Sequence, residues 1–254
     1  MEVYKASFVG KNSIHFAEID STNTFLTSTL SKSTPIEGTC IIADFQTGGK
    51  GQIGRYWHSS PCLNLLISYV LYPVNVKSEN QFFINIVSSL AVYDLLSSYG
   101  IQPRIKWPND VYVGNQKIAG TLTQNTWRGE QLRATIIGIG LNVNETEFPT
   151  ELPNPTSMST ILGKTIDILE VKNKLSDYLE YYYLALLRSE LVMLNAKYLE
   201  RLYKINEWAQ YKDLDENVFS ALILGITKDG LLELQHADGA IEAYDLRALT
   251  FLLG

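Results

Sequence analysis

The stretch KWPNDVYVGNQKIAG, residues 106–120, has the pattern of two short strands joined by a tight turn. Gly114-Asn115 is the turn signal, and the residues on both sides of it are suited to strands. The turn predicts that Lys117, on the second strand, returns to the neighbourhood of Lys106. Two lysines brought together in this way are suited to binding an anionic group.

Pro108 restrains the residue before it to extended geometry and fixes the direction of the chain. Lys106 and Asp110 are therefore predicted to stand at the two ends of a rigid five-residue segment, so that a cation and a carboxylate are preorganised. A pair of unit charges about 4 Å apart is worth roughly 4 kcal/mol at an effective dielectric of 20. The alternative for either lysine alone is a solvated turn with a surface ion pair, which is worth under about 1 kcal/mol.

Around this hairpin, the apolar pattern predicts a sheet with helices. Strands are predicted for GTCIIADFQ (38–46), NLLISYVLY (64–72) and residues 104–107, 111–113, 118–124 and 133–143, and helices beginning at Asp20 or Ser21, over residues 81–100 and within residues 167–206. The prolines at positions 149, 153 and 155 predict a surface loop between the sheet and the last helices.

The last part of the chain has a different pattern. Strand-like runs alternate with the turn signals Asp229-Gly230 and Asp238-Gly239, which are typical of hairpins. We therefore predict two domains, residues 1–209 and a small β domain over residues 210–254.

Composition excludes several classes of function. The 254 residues are 46% hydrophobic and carry a formal charge of −6, so neither nucleic acid nor an anionic membrane is an expected partner. Cys40 and Cys62 lie in no metal-binding pattern, and we expect reduced thiols and no structural metal. The sequence shows no signal peptide and no bilayer-spanning apolar run, so the expected compartment is the cytoplasm.

A second segment, QTGGKGQIGRYW (residues 46–57), contains the pattern G-x-G-x-x-G. A dinucleotide-binding fold would need a helix directly after the glycines, but RYWHSSPCLN is a poor helix. A Walker loop fails because Gly51 stands where Ser or Thr must follow Lys50. The remaining interpretation is a loop whose N–H groups approach an anionic or carbonyl oxygen closely, with Lys50 and Arg55 adding charge. A flexible surface turn is the alternative, disfavoured because four glycines are costly in backbone entropy without a ligand.

These segments, in this order, closely resemble the biotin protein ligase family. That family places S-T-N ahead of a glycine-rich loop, then KWPND, K-x-x-G and G-x-G-x-N. The matching residues are Ser21, Thr22 and Asn23, then residues 46–57, 106–110 and 117–120, and finally Gly138, Gly140 and Asn142. The resemblance covers about residues 18–144 and, more weakly, the last β domain.

The resemblance implies an α+β fold, in which a mixed β-sheet flanked by helices, like that of class II aminoacyl-tRNA synthetases, precedes a small SH3-like β-barrel. It also implies a ligase with biotin and ATP as substrates, Mg²⁺ accompanying ATP, and the biotin carboxyl carrier domain of acetyl-CoA carboxylase or a similar enzyme as partner. Biotin and ATP would form biotinoyl-AMP, from which biotin passes to a lysine of the carrier.

The resemblance also implies the site residues. The implied catalytic residues are Lys106, Lys117 and Asp110. The implied biotin-binding residues are Ser21, Thr22, Asn23, Gln46, Gly49, Lys50 and Gly120. The implied adenylate-binding residues are Lys50, Gly51, Gln52, Arg55, Trp57, Asn109 and Asn142. Lys106 would contact the carboxylate and α-phosphate oxygens, whereas Asp110 would orient a lysine, meet the acceptor amine or help to hold magnesium. The metal ligands stay open.

Two positions depart from the family pattern. Gln52 stands where a second arginine is frequent, so retention of the adenylate would rely more on Lys50, Arg55 and loop closure. Arg247 is the nearest candidate for a basic residue that the C-terminal domain of the family contributes to the nucleotide, and a solvated strand-end arginine is the favoured interpretation.

Three alternative functions are weighed against this one. A lipoate or octanoate protein ligase shares the chemistry, but the sequence has no RRxSGGG-type segment. A non-catalytic biotin-binding module would not need Lys106 and Lys117 beside the loop. A repressor would need a helix-turn-helix, for which the stretch before Ser21 is too short, so we expect no DNA binding. Pairing of chains through an exposed strand is possible, but the sequence does not predict it.

Overall fold

A computed structural model describes residues 4–52 and 54–252, which form two sheets and five α-helices. The strands are β1 (Ser13–Ile19), β2 (Cys40–Gln46), β3 (Leu65–Leu71), β4 (Arg104–Lys106), β5 (Asp110–Val113), β6 (Gln116–Arg128), β7 (Gln131–Leu141), β8 (Trp208–Lys212), β9 (Val218–Ile226), β10 (Leu232–His236), β11 (Ile241–Tyr244) and β12 (Thr250–Phe251). The helices are α1 (Thr22–Leu30), α2 (Phe82–Ser97), α3 (Met158–Leu162), α4 (Ile168–Leu187) and α5 (Leu191–Glu200).

The first sheet has seven strands in the order β1-β2-β3-β7-β6-β5-β4. The β1–β2 pair is parallel, and every other neighbouring pair is antiparallel, so the sheet is mixed as expected. The β5–β6 hairpin turns at residues 114–115, where Gly114 has a φ of 56°. The predicted strands are confirmed, and β6 is longer than predicted because it continues to Arg128 beside β7.

Both faces of the central strand β3 are covered, which is why all seven of its residues are buried. Tyr69 belongs to the main core with helices α2 and α4, whereas the next residue, Val70, packs in a smaller core beside Leu26 of α1. This alternation follows from the two-residue repeat of a strand. The sheet is therefore a layer between helices.

The helix boundaries follow from local chemistry. Ser21, one of the two predicted caps, is the N-cap of α1, and its hydroxyl accepts a hydrogen bond from the Thr24 N–H. Helix α2 stops just before Gly100, which takes a φ of 80°. Residues 167–206 contain two helices, α4 and α5, with Asp167 capping the first. No helix in the described part of the chain is long and apolar enough to cross a membrane.

The second sheet is antiparallel, with the order β11-β10-β9-β8-β12, and the predicted hairpins at residues 229–230 and 238–239 join its strands β9, β10 and β11. It packs against the first part of the chain, where the Trp107 indole donates a hydrogen bond of 2.8 Å to the Gly230 carbonyl. The α+β fold class is confirmed. Strand β8 begins at Trp208 and so crosses the predicted boundary between residues 209 and 210, and the division into two domains stays a prediction.

Candidate active site

A cleft of about 230 Å³ opens over the middle of the first sheet. It is lined by Ser21, Thr22, Asn23, Gln46, Lys50, Gly51, Gln52, Arg55, Tyr56, Trp57, His58, Ile67, Lys106, Asp110, Tyr112, Lys117, Gly120, Thr121, Leu122, Gly138, Ile139, Gly140, Asn142, Phe148, Leu152, Pro153 and Pro155. All the predicted site residues are among them except Gly49 and Asn109. Residues far apart in the sequence therefore meet in one place.

The inner end of the cleft is an uncharged hydrogen-bond network. The Gln46 side-chain oxygen accepts hydrogen bonds from the Thr22 N–H at 2.8 Å and from the Thr22 hydroxyl at 3.0 Å. The Ser68 hydroxyl joins the Thr22 hydroxyl at 2.6 Å and the Asn23 side-chain oxygen. All four side chains are buried. Such a network can recognise a neutral polar ring by hydrogen bonds without offering it a charge.

Two glycines form a platform for an aromatic side chain in the middle of the cleft. Gly120 of β6 and Gly140 of β7 are cross-strand partners, and the Trp57 indole lies against both. A Cβ on Gly140 would come within 2.4 Å of that indole, which explains why glycine is needed there. The Trp57 indole nitrogen is buried and has no hydrogen-bond partner among the described residues. Such a donor is costly to leave unsatisfied, so it indicates a site where a ligand or water supplies an acceptor.

The glycine-rich loop folds back on itself as a narrow hairpin. The Gly51 N–H donates to the Arg55 carbonyl at 2.7 Å, and the Trp57 N–H donates to the Gly49 carbonyl at 3.0 Å. Gly49 lies behind the cleft wall, where a Cβ would meet the Trp57 carbonyl oxygen at 2.6 Å. No helix begins directly after these glycines in the described residues, so the loop lacks the helix that a dinucleotide-binding fold needs. Arg55 is exposed at the rim.

The charged groups stand at the outer end of the cleft. The Lys117 ammonium makes an ion pair of 2.7 Å with the Asp110 carboxylate. Lys106 is the cross-strand partner of Asp110, but its ammonium lies near two aromatic rings, 5.1 Å from the centroid of Tyr112 and 4.9 Å from that of Phe251. Burial lowers the pKa of Lys106, Asp110 raises it, and the cations Lys117 and Arg55 lower it further. The net pKa lies below the usual range of a lysine.

Three of the predicted adenylate residues hold the walls of the cleft together. Asn109 is buried outside the lining, where its side-chain oxygen accepts a hydrogen bond of 2.6 Å from Gln52 and its nitrogen donates to the Thr121 carbonyl. Asn142 lines the cleft, and its side-chain nitrogen donates to the Thr156 carbonyl at 2.9 Å. Gln52 therefore bridges the glycine-rich loop to the KWPND segment.

Several lining or supporting residues were not predicted. Ser68 completes the inner network, and the only sequence signal for it is a hydroxyl inside an otherwise apolar strand. Tyr112 and Phe251 flank Lys106. The proline-rich loop, expected to be a connection, supplies a wall of the cleft with Phe148, Leu152, Pro153 and Pro155. Arg247 is exposed and does not line the cleft.

The sequence model of the biotin/lipoate A/B protein ligase family matches residues 15–142. Among curated relatives, the bifunctional ligase/repressor BirA of Bacillus spizizenii is 29% identical over 94% of this chain and 74% of its own length. The biotin–[acetyl-CoA-carboxylase] ligase of Mycobacterium tuberculosis is 31% identical over 56% of this chain and 53% of its own length. The chain thus spans about three quarters of the first relative and about half of the second.

Solved structures of biotin protein ligases are also similar to this chain. The biotin protein ligase of Aquifex aeolicus in complex with biotin and ATP superposes with a TM-score of 0.79 at 28% identity, over 96% of this chain and 100% of the other. The Leishmania major biotin protein ligase in complex with biotinyl-5-AMP has a TM-score of 0.57 at 22% identity, over 92% of this chain and 99% of the other, and at that identity it supports the fold alone.

Proposed function

The chain belongs to the biotin/lipoate A/B protein ligase family, and on that premise we propose that it is an ATP-dependent biotin protein ligase. One observation carries the proposal: a single cleft joins an uncharged hydrogen-bond network at its inner end to two lysines at its outer end. Biotin has a neutral ureido ring at one end and a carboxylate at the other, so the two ends of the cleft match the two ends of the substrate. The similarity to the Aquifex aeolicus biotin protein ligase solved with biotin and ATP supports the same substrates here.

In the first step, an oxygen of the biotin carboxylate attacks the α-phosphorus of ATP, and the bond to pyrophosphate breaks. The product is biotinoyl-AMP. Negative charge on the attacking carboxylate and on the α-phosphate must be balanced in this step, and fixed cations do so without reorganisation. Lys106 is proposed to contact the carboxylate and α-phosphate oxygens, and Lys117 to stand beside the same region.

In the second step, a lysine amine of a carrier domain attacks the acyl carbon of biotinoyl-AMP. An amide forms, AMP leaves, and the amine gives up a proton. Asp110 is the carboxylate that lines the cleft in the described residues, and its proposed roles are to orient Lys117, with which it pairs at 2.7 Å, and to meet the incoming amine. The partner is proposed from the activity named for the Mycobacterium tuberculosis relative.

The binding roles follow the position of each side chain. Ser21, Thr22, Asn23 and Gln46 are proposed to surround the biotin ring, because all four line the cleft and the last three form the inner network with Ser68. The loop residues Lys50, Gly51, Gln52 and Arg55 are proposed to close over the adenylate, and Trp57 to pack against it from the platform of Gly120 and Gly140. Asn142 is proposed to hold these groups in place from the cleft lining, and Asn109 and Gly49 from behind it.

Magnesium is proposed to arrive with ATP as part of the substrate. The described residues include no group of three His, Cys, Asp or Glu side chains able to hold a metal ion. Mg²⁺ usually binds nucleotide phosphates and water and needs few protein ligands, so such a site is compatible with this chemistry. The cytoplasm is the proposed compartment, in agreement with the unpaired Cys40 and Cys62.

The proposal is tested by incubating the chain with ATP, biotin and a purified biotin carboxyl carrier domain. The intact mass of the carrier is expected to increase by one biotinoyl group. A carrier whose acceptor lysine is replaced by arginine is the control and should stay unmodified. A carrier that gains mass with lipoate or octanoate but not with biotin would instead favour the lipoate branch of the family.

A further inference from the structure

The environment of Lys106 is aromatic on two sides. Its ammonium lies 5.1 Å from the ring centroid of Tyr112 and 3.5 Å from the Tyr112 hydroxyl, and 4.9 Å from the ring centroid of Phe251. These distances are within the range in which an ammonium is attracted to the face of an aromatic ring. Tyr112 and Phe251 together are called the aromatic slot. Tyr112 belongs to the first sheet, whereas Phe251 comes from β12 of the second sheet.

No carboxylate in the described residues lies within ion-pairing distance of the Lys106 ammonium. Asp110, its cross-strand partner, pairs with Lys117 at 2.7 Å. An aromatic face attracts a cation but does not neutralise it, so the positive charge of Lys106 stays available to substrate oxygens. No ion pair to Lys106 has to be broken when an anion binds.

The second sheet fixes the position of Phe251. Phe251 is the cross-strand partner of Tyr211, and the two rings meet edge-on with centroids 5.1 Å apart. Tyr211 is fully buried and also packs against Phe219 at 5.9 Å. Phe251 is therefore held by an aromatic cluster of its own sheet, and its ring reaches Lys106 from that anchored position.

We propose that Phe251 is a positioning residue for the adenylation reaction, through which the second sheet holds the Lys106 ammonium in place for the carboxylate and α-phosphate oxygens. The inference rests on the proposed function and adds to it a contribution from the second sheet. That contribution is a ring face, and it differs from the basic side chain considered at Arg247.

The groups that face Lys106 determine the direction in which its pKa should change when Phe251 is replaced. Asp110 and Tyr112 lie on β5, Lys117 on β6 and Arg55 on the glycine-rich loop, and Phe251 is the uncharged neighbour from β12. Leucine at position 251 would keep Lys106 buried but remove the ring face that favours its charged form. The pKa of Lys106 is therefore expected to fall further in Phe251→Leu and to stay unchanged in Phe251→Tyr, which keeps a ring.

The experiment compares the natural chain with Phe251→Leu, Phe251→Tyr and Phe219→Leu. Phe219→Leu is the matched control, because it removes a ring from the same cluster around Tyr211 without touching Lys106. The first measurement is the acetylation of Lys106 by acetic anhydride as a function of pH, followed by mass spectrometry in the absence of biotin and ATP. The second is the kcat and the KM values for biotin-dependent exchange of pyrophosphate into ATP.

We expect Phe251→Leu to lower the acid dissociation midpoint of Lys106 by an amount equal to about a three- to tenfold change in the dissociation constant. We expect its kcat for exchange to fall about tenfold, with the biotin KM changed less than twofold and Phe251→Tyr close to the natural chain. Equal behaviour of Phe251→Leu and Phe219→Leu in both measurements would overturn the inference. The labelling needs no substrate, so it tests the aromatic slot even in a chain that shows no exchange with biotin.

Discussion

Gly120 and Gly140 are direct partners on neighbouring strands, and together they leave the space in which the Trp57 indole lies. The two glycines are 20 positions apart in the chain (140 − 120) and come from separate motifs, K-x-x-G and G-x-G-x-N. The sheet register converts them into one flat surface. Both motifs are therefore parts of a single platform. The buried indole nitrogen that lies on it has no hydrogen-bond acceptor among the described residues.

Gly140→Ala is expected to displace Trp57, because the new Cβ would stand 2.4 Å from the indole. We expect the ATP KM for exchange to rise at least tenfold and the tryptophan fluorescence of the free chain to change. Gly225→Ala is the control, since the nearest atom to a Cβ there is 3.6 Å away, an ordinary contact. Normal ATP binding in Gly140→Ala would show that the platform is not used.

Ser68→Ala is expected to weaken biotin binding by about five- to thirtyfold, because it removes a buried hydroxyl that joins Thr22 to Asn23. Isothermal titration with biotin measures this. Ser176→Ala is the matched control, since Ser176 is also buried and hydrogen-bonded but lies on α4 away from the cleft. Equal biotin affinity in the two variants would show that Ser68 does not contribute to biotin binding.

A comparison of the Gly114-Asn115 turn with Ser68 shows which parts of the site could be predicted from the sequence. The Gly114-Asn115 turn is a local signal, and it correctly predicted that Lys117 returns to the neighbourhood of Lys106. The ion pair of Lys117 with Asp110, the cross-strand partner of Lys106, was not predicted. Ser68 stands in a buried strand, and its partners lie more than 40 positions away. Nothing local specifies which side chains a buried hydroxyl will meet.

Phe251 was beyond prediction for the same reason. It is 145 positions from Lys106 (251 − 106), and the contact depends on how the second sheet packs on the first. The proline-rich loop was correctly predicted as a connection, but its packing over the cleft depends on tertiary structure. The fold class and most of the cleft could therefore be predicted from motifs, whereas the supports between sheets could not.

Lys106→Ala is expected to lower the adenylation rate by roughly 10²-fold or more, in line with the loss of one preorganised charge. Lys174→Ala, at an exposed ion pair on α4, is the control and should leave the rate unchanged. Single-turnover formation of biotinoyl-AMP is the measurement. If Lys106→Ala formed biotinoyl-AMP at the rate of the natural chain, Lys106 would have no role in the mechanism.

The rate of adenylation should also depend on pH through Lys106. Burial lowers the pKa of this lysine, and only its charged form can stabilise the carboxylate and phosphate oxygens. The rate is therefore present below the lowered pKa and is lost as pH rises through it, at a lower pH than an ordinary lysine would give. A pH profile of kcat/KM measures this, and an alkaline limb at the usual lysine value would contradict it.

Glu180→Gln tests the contact between α4 and residues 4–9. Burial raises the pKa of Glu180, but hydrogen bonds from the Phe8 and Ser7 N–H groups, the Tyr4 hydroxyl and the Val9 N–H outweigh it and hold the pKa at about 2. A carboxylate with a lowered pKa stabilises the fold above its unfolded pKa and loses that contribution as pH falls through the folded value. The free energy of unfolding should therefore fall by on the order of 2 to 3 kcal/mol between about pH 4.5 and pH 2.

Urea unfolding at several pH values checks this prediction. Glu180→Gln should be less stable than the natural chain at pH 7 and should lack most of the acid dependence. Glu170→Gln is the control, because Glu170 on the same helix is exposed and makes a surface pair with Lys174. The same acid dependence in Glu180→Gln and the natural chain would contradict the assignment.

The most direct measurement of the central claim is biotin-dependent exchange of labelled pyrophosphate into ATP by the purified chain. Exchange reports formation of the acyl-adenylate alone and needs no carrier protein. We predict exchange with biotin and little or none with lipoate or octanoate. Absence of exchange with biotin, in a chain shown by its unfolding transition to be folded, would contradict the account.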